Sequence, residues 1–208
     1  MARRVWLCAN LVILLLILGC GPKVMVPPEI DLAEYESVGL IDFNTEAEGT
    51  LGPFITQKFL QEISLSQKGA RIIELGNMEE VLRSVERDRL DTEAIRIIGE
   101  KHNLSVLIVG DLMVSDVRPK VNISSIISSM SVKAEVEASM IVKLLETERG
   151  ATVWTGAAQQ KKNVAHVSIF SPNTIMFDAK DPEQAYGELT ESLIEEVTRD
   201  LRVSYRRQ

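Results

Sequence analysis

Cysteine is nearly absent from this chain: two among 208 residues, Cys8 and Cys20, both inside the first 20. From Gly21 onward there is no thiol to form a disulfide, and a domain of this size needs none to hold a core. Histidine is as scarce. His102 and His166 stand more than 60 residues apart, and neither belongs to a metal-ligand spacing such as H-E-x-x-H. Both read as surface residues, His102 beside Lys101 at a helix end and His166 inside the run 163–170. A Gly-rich phosphate loop is missing. Serine is plentiful at Ser124, Ser125, Ser128 and Ser129, yet no nucleophile elbow surrounds it. Internal repeats and low-complexity segments are missing too. Basic charge is in deficit, with 23 Lys and Arg against 30 Asp and Glu, a net of −7. That balance argues against nucleic acid and anionic lipid headgroups as partners. The expectation is a protein that is not an enzyme and uses no cofactor or metal.

What is present begins at the N-terminus. Arg3 and Arg4 form a basic start, and Val5 to Leu18 is an almost unbroken apolar run. Such a run suits a secretory leader, whose apolar region is about 7–15 residues, better than a spanning helix of about 20. Ile17-Leu18-Gly19-Cys20 closes it and resembles a lipobox: aliphatic at −3, small at −1, then Cys. Leu18 at −2 is bulkier than that slot usually holds. The resemblance implies cleavage before Cys20, a diacylglycerol thioether on its sulfur and an acylated (palmitate-type) amine. An uncleaved N-terminal anchor is the alternative. Gly21 in place of Asp favours the outer membrane. Cleavage removes two Arg and no acid, which leaves a mature net charge of −9. Residues 1–19 are thus read as signal peptide, and 20–35 as lipidated Cys and tether. Pro22, Pro27 and Pro28 keep the tether extended. About 15 residues at roughly 3.4 Å each reach at most about 50 Å.

Residues 36–208 are expected to form one domain. Ser37 to Phe43 reads as a buried strand and Asn44 to Gly52 as a loop. Phe54, Ile55, Phe59 and Ile63 mark a helix over 53–67, stopped by Gly69. Ala70 to Leu75 is a second strand. Asn77 with Glu80 forms a capping box for a helix with Met78, Val81, Leu82 and Val85 on its apolar face. Asp91 caps another helix, ending near Lys101, and Leu104 to Val114 is a long strand. Val132, Ala134, Val136, Ala138, Met140, Val142 and Leu144 alternate with polar residues, so one face of that strand is buried and the other wet. Glu146 to Gly150 turns, and Ala151 to Gln160 returns as the hairpin partner. Asp181-Pro182-Glu183-Gln184 starts a last helix, whose stripe Tyr186, Leu189, Leu193, Ile194, Val197 and Leu201 reads chiefly as core. The predicted class is α/β: a mixed β-sheet flanked by helices.

Three stretches, Val38-Gly-Leu-Ile-Asp-Phe43, Asp91 to Val114 and the hairpin Val132 to Ala158 with Trp154, resemble in order and spacing the CsgG/TolB N-terminal-domain-like superfamily of envelope proteins. Its members include the curli-secretion channel lipoprotein, a lipoprotein activator of penicillin-binding proteins and the first domain of the Tol-Pal propeller protein. The resemblance implies a fold and a cell-envelope setting, with no shared activity.

Asp42 and Asp111 both lie on predicted strands and could meet in a mixed sheet, either as a carboxylate pair or as strand-end residues holding loop amides. Two segments remain as working surfaces. Residues 115–130 join two strong strands and are long for a connection. Residues 161–181 form an excursion whose Ile169, Phe170, Ile175, Met176 and Phe177 are unusually apolar for a loop. It is either a flap over the domain's own core or a contact surface for a protein partner or a second copy. The expected function is a lipid-anchored, periplasm-facing interaction or assembly module in envelope or surface-structure biogenesis. A subunit of a CsgG-type secretion channel and an activator of a peptidoglycan synthase are the alternatives. A spanning strand needs about 9–11 residues and aromatic girdles, and both excursions look short and aromatic-poor for that.

Overall fold

Four consecutive buried residues, Val38 to Ile41, make the strand around which the domain is built. Apolar on both faces, it has to be covered on both, which is the usual state of a parallel strand. A computed structural model describes residues 23–120, 133–165, 167–171, 174–177 and 182–207. In chain order the strands are β1 (Lys23–Val26), β2 (Val38–Ile41), β3 (Asn44–Thr45), β4 (Glu48–Gly49), β5 (Ile72–Gly76), β6 (Val106–Lys120), β7 (Lys133–Glu146), β8 (Thr152–Ala165), β9 (Val167–Ser171), β10 (Thr174–Phe177) and β11 (Ser204–Arg207). The helices are α1 (Leu51–Ser66), α2 (Met78–Ser84), α3 (Thr92–His102) and α4 (Pro182–Val197). The main sheet runs β5-β2-β6-β7-β8, with β3 added beside β6. β5, β2 and β6 are parallel, and β7 and β8 are antiparallel. This is the mixed sheet that the sequence predicts.

Alternation divides the strand residues between two cores. On one face Val38, Leu40, Val106, Ile108, Val136, Ala138, Met140, Val142 and Leu144 pack with Phe59 and Ile63 of α1 and Leu189 and Leu193 of α4. On the other, Ile41, Leu107, Val109 and Leu145 meet Val81 of α2 and Ile95 and Ile98 of α3. The second core is smaller because α2 and α3 cover only the parallel end. The outer residues of the β7–β8 hairpin stay wet, and there Glu137 accepts from Gln159 at 2.6 Å while Lys161 pairs with Glu135 at 2.9 Å. Glycine is required where β8 passes under α4: a Cβ on Gly156 would sit 2.6 Å from the Val197 carbonyl and from the Trp154 ring.

The helix starts follow their capping residues. Asn77 accepts from the Glu80 N–H at 2.8 Å, and Asp91 from the Ala94 N–H at 2.9 Å. That amide holds the Asp91 carboxyl below its ordinary pKa. α3 ends on Asn103, left-handed at φ 53°. The stripe Tyr186, Leu189, Leu193, Ile194, Val197 and Leu201 is buried throughout, so it is core.

Two expectations need correction. Residues 44–52 are not simply a loop. β3 extends the main sheet, β4 pairs with β10, and α1 begins at Leu51 rather than Pro53. The stretch read as a free tether is largely docked. β1 pairs with β11, the Glu29 N–H donates to the Asp200 carbonyl at 2.8 Å, and Leu32 is fully buried. The reason lies in Gln67, only 4% exposed just beyond α1. Its Oε1 accepts from the Leu32 N–H at 2.8 Å, and its Nε2 donates to the carbonyls of Ile30 at 2.8 Å and Leu201 at 2.6 Å.

Gln67→Ala strands three backbone groups at once. Each unmade buried bond costs about 1–3 kcal/mol before relaxation, so a loss of about 2–4 kcal/mol is expected in urea unfolding. Hydrogen exchange over residues 29–35 should accelerate well beyond that of β7.

Candidate functional site

Asp42 follows β2, at the carboxyl end of the parallel strands where open α/β sheets form crevices. Its backbone N–H donates to the Gly76 carbonyl at 2.9 Å. Burial, then the charges of Glu74 and Glu80, raises the Asp42 carboxyl above its ordinary pKa. Asp111 is engaged elsewhere, accepting from the Asn44 Nδ2 at 3.2 Å. The two aspartates thus differ in setting: Asp42 lies just past the end of β2, and Asp111 lies within β6 with its carboxylate on the Asn44 amide. Among the described residues no group of three or more His, Cys, Asp and Glu is arranged to hold a metal. His102 closes α3 half-buried, and His166 lies outside the described residues.

The excursion after β8 is a hairpin in its backbone. β9 and β10 pair antiparallel, with Ile175 opposite Ile169 and Phe177 opposite Val167. β10 also pairs in parallel with β4, Met176 opposite Glu48 and Phe177 opposite Gly49. Ile169 and Phe170 thus stand on β9, and Ile175, Met176 and Phe177 on β10, in a three-stranded sheet of order β4-β10-β9. The side chains of these five lie outside the described residues, as does Cys20. The tie to β4 is the part sequence reasoning missed, because a two-residue strand has no periodicity. Part of the segment 115–130 belongs to β6 itself: Arg118 pairs with Glu135, Pro119 with Ala134 and Lys120 with Lys133. Residues 121–132 lie outside the described residues.

A groove of about 470 Å³ lies between α1 and α4. Lys58, Glu62, Glu183, Glu191, Glu195 and Arg202 rim it. Lys58 pairs with Glu183 at 2.5 Å, and Arg202 lies 3.8 Å from Glu62, so its cations are already engaged. Thr190, 1% exposed, lines the groove, and its Oγ1 has no hydrogen-bond partner. The cause is local. Ser192 and Thr198 return their hydroxyls to the carbonyls four residues back. For Thr190 that residue is Tyr186, which breaks helical geometry at φ −141°, ψ 19°. Tyr186 instead holds the turn before α1, its hydroxyl 2.5 Å from Thr50 Oγ1, and stacks edge-on against Phe54. Among the described residues no helix is long and apolar enough to cross a membrane.

Two substitutions test these assignments. The native state binds the Asp42 proton more tightly than the unfolded chain does, so ionising this carboxyl opposes folding. Asp42→Asn should raise Tm at pH 7, and the gain should fade as pH drops through the carboxylate range. Thr190→Val keeps the shape and removes the unpaired hydroxyl, so stability should stay level or rise by about 1 kcal/mol in denaturant unfolding.

No family profile matches the chain, and no curated protein sequence does. Solved structures similar to it include a PelC dodecamer from Paraburkholderia phytofirmans, at 14% identity and TM-score 0.46, the alignment covering 88% of this chain and 99% of that one. The LpoB C-terminal domain from Salmonella enterica aligns at 11% identity and TM-score 0.38, over 66% of this chain and 86% of that one. Lipoprotein GNA1162 from Neisseria meningitidis aligns at 15% identity and TM-score 0.37, over 61% and 83%. At these values the likeness concerns the course of the backbone alone.

Proposed function

We propose that this chain is a membrane-anchored lipoprotein of the bacterial envelope. Cys20 is the lipidated residue, and the α/β domain serves as a non-enzymatic interaction or assembly module on the periplasmic face of the outer membrane. The observation that carries the reading is the leader itself: a basic start, the apolar run Val5–Leu18 and Gly19-Cys20 at its close. The surface chemistry agrees with it. The cations rimming the α1–α4 groove are in ion pairs, and Asp42 has acidic neighbours, an arrangement suited to a scaffold. The partner-facing element is the β9–β10 hairpin. It brings Ile169, Phe170, Ile175, Met176 and Phe177 onto two short strands of an otherwise acidic chain.

A ring or channel subunit is the second reading, favoured by one observation. The β6–β7 ladder runs to the pair Lys120–Lys133. Beyond Ser115 it adds five residues on β6, where a spanning strand needs about 9–11.

The deciding experiment is light scattering of the detergent-extracted full chain, with an intact-mass measurement on the same sample. A diacylglyceryl-modified mature chain beginning at Cys20 is expected, and an unmodified chain retaining Met1 would overturn the anchoring. A closed ring would bring the channel reading forward; a monomer would direct the search to a heterologous envelope partner. Replacing Phe170, Ile175 and Phe177 with Ser should keep the circular dichroism and Tm of the parent and weaken association about tenfold or more. Loss of folding would return the hairpin to the core.

A further inference from the structure

β1 and β11 form a two-stranded ribbon separate from the main sheet. Its register pairs Lys23 with Arg207, Val24 with Arg206, Met25 with Tyr205 and Val26 with Ser204. Directly opposed residues of an antiparallel pair share a face, and side chains alternate along each strand. One face therefore presents Met25 and Tyr205, and the other Val24, Val26 and Ser204. Met25 is 61% and Tyr205 67% exposed, while Val24 is 39% exposed and Val26 half-buried. The outward face is thus a thioether and a phenol side by side in solvent. Large exposed apolar side chains that sit together mark a contact surface.

Charge separates this ribbon from the rest of the molecule. Its eight residues, KVMV and SYRR, hold three cations and no acid, on a chain with a net charge of −7. A whole-chain balance that argues against anionic lipid therefore does not describe this corner. Position completes the argument. Only Gly21 and Pro22 separate Cys20 from Lys23. Three peptide steps span at most about 11 Å. An acyl chain on Cys20 would hold the ribbon within about that distance of the headgroup layer.

We propose that the β1–β11 ribbon is a second membrane contact, laying its Met25–Tyr205 face, on which Lys23 also falls by register, on a phospholipid surface that contains anionic headgroups. Tyrosine suits this depth, with an apolar ring below and a hydroxyl in the wet layer. A basic segment beside an acyl chain is a recognised pairing of membrane signals. The ribbon would fix the orientation of the domain, which a flexible tether would leave free. The inference rests on the lipidation of Cys20 proposed above.

The test uses the full chain, extracted with its anchor and reconstituted in vesicles of phosphatidylethanolamine and phosphatidylglycerol. Acylation consumes the last native thiol, so an environment-sensitive fluorophore can be placed at Tyr205→Cys or, on the opposite face, at Ser204→Cys. Both positions are exposed, and Tm identical to the parent confirms the fold. Intact mass is read first, and nitroxide lipids then report contact. With the lipid present, severalfold stronger quenching at 205 than at 204 is expected. Equal quenching at the two positions, or none, with the lipid present overturns the ribbon's role and leaves the anchor standing. A mass lacking the lipid overturns the anchoring reading and the proximity argument with it.

Discussion

One side-chain amide holds the ends of this domain to its middle. Gln67 sits just past α1, is almost fully buried, and uses both halves of its amide on backbone groups from the N-terminal segment and from the turn after α4. Backbone groups in such a place have to be satisfied or the segment cannot be buried. Asn would fall short by one methylene, and Glu would offer no donor. With the amide in place, Leu32 enters the larger core, the Asp31 cap forms on the Ala33 N–H at 2.9 Å, and the chain on either side is aimed so that β1 meets β11.

The two faces of the sheet have different duties. At the parallel end β2 and β6 are covered on both faces, while Ile73 on the edge strand β5 stays exposed. Along β7 and β8 the inner face packs on α4, and the outer face carries polar pairs. α4 is therefore the element that couples the hairpin to α1. Its irregular start follows from that duty. Tyr186 leaves helical geometry to reach Thr50 and Phe54, and the price is a Thr190 hydroxyl without its usual carbonyl.

Much of this was legible in the sequence, for identifiable reasons. The alternation of Val136 to Leu144 is a period-two signal long enough to admit no helical reading, and the burial of those five residues matches it. Asn77 and Asp91 stand directly before apolar helical spacing, and both cap as their chemistry requires. The main sheet's strands could be found because they are long or wholly apolar. What escaped was short or non-local. β1, β3, β4 and β11 have two to four residues each, too few for any period. The role of Gln67 was invisible because a polar residue after a helix reads as surface, and only the fold brings three backbone groups to it. The prolines between Gly21 and Glu34 suggested a free tether, yet an extended backbone is also what a docked strand needs. The sequence marks 161–181 as an apolar excursion, but the pairing of β10 with Glu48-Gly49 required the tertiary structure.

The pairing of β1 with β11 also fixes an order of events. Lys23 finds its partner at Arg207, nearly the whole chain away, and the Gln67 bond to Leu201 spans 134 positions. Contacts of such separation carry a large loop-closure entropy and form late, after local helices and the β7–β8 hairpin have shortened the effective distance. A chain emerging N-terminus first therefore exposes β1 without a mate until its final residues have appeared. Until that closure β1 is an unpaired strand edge, the kind of backbone that other extended segments can pair with.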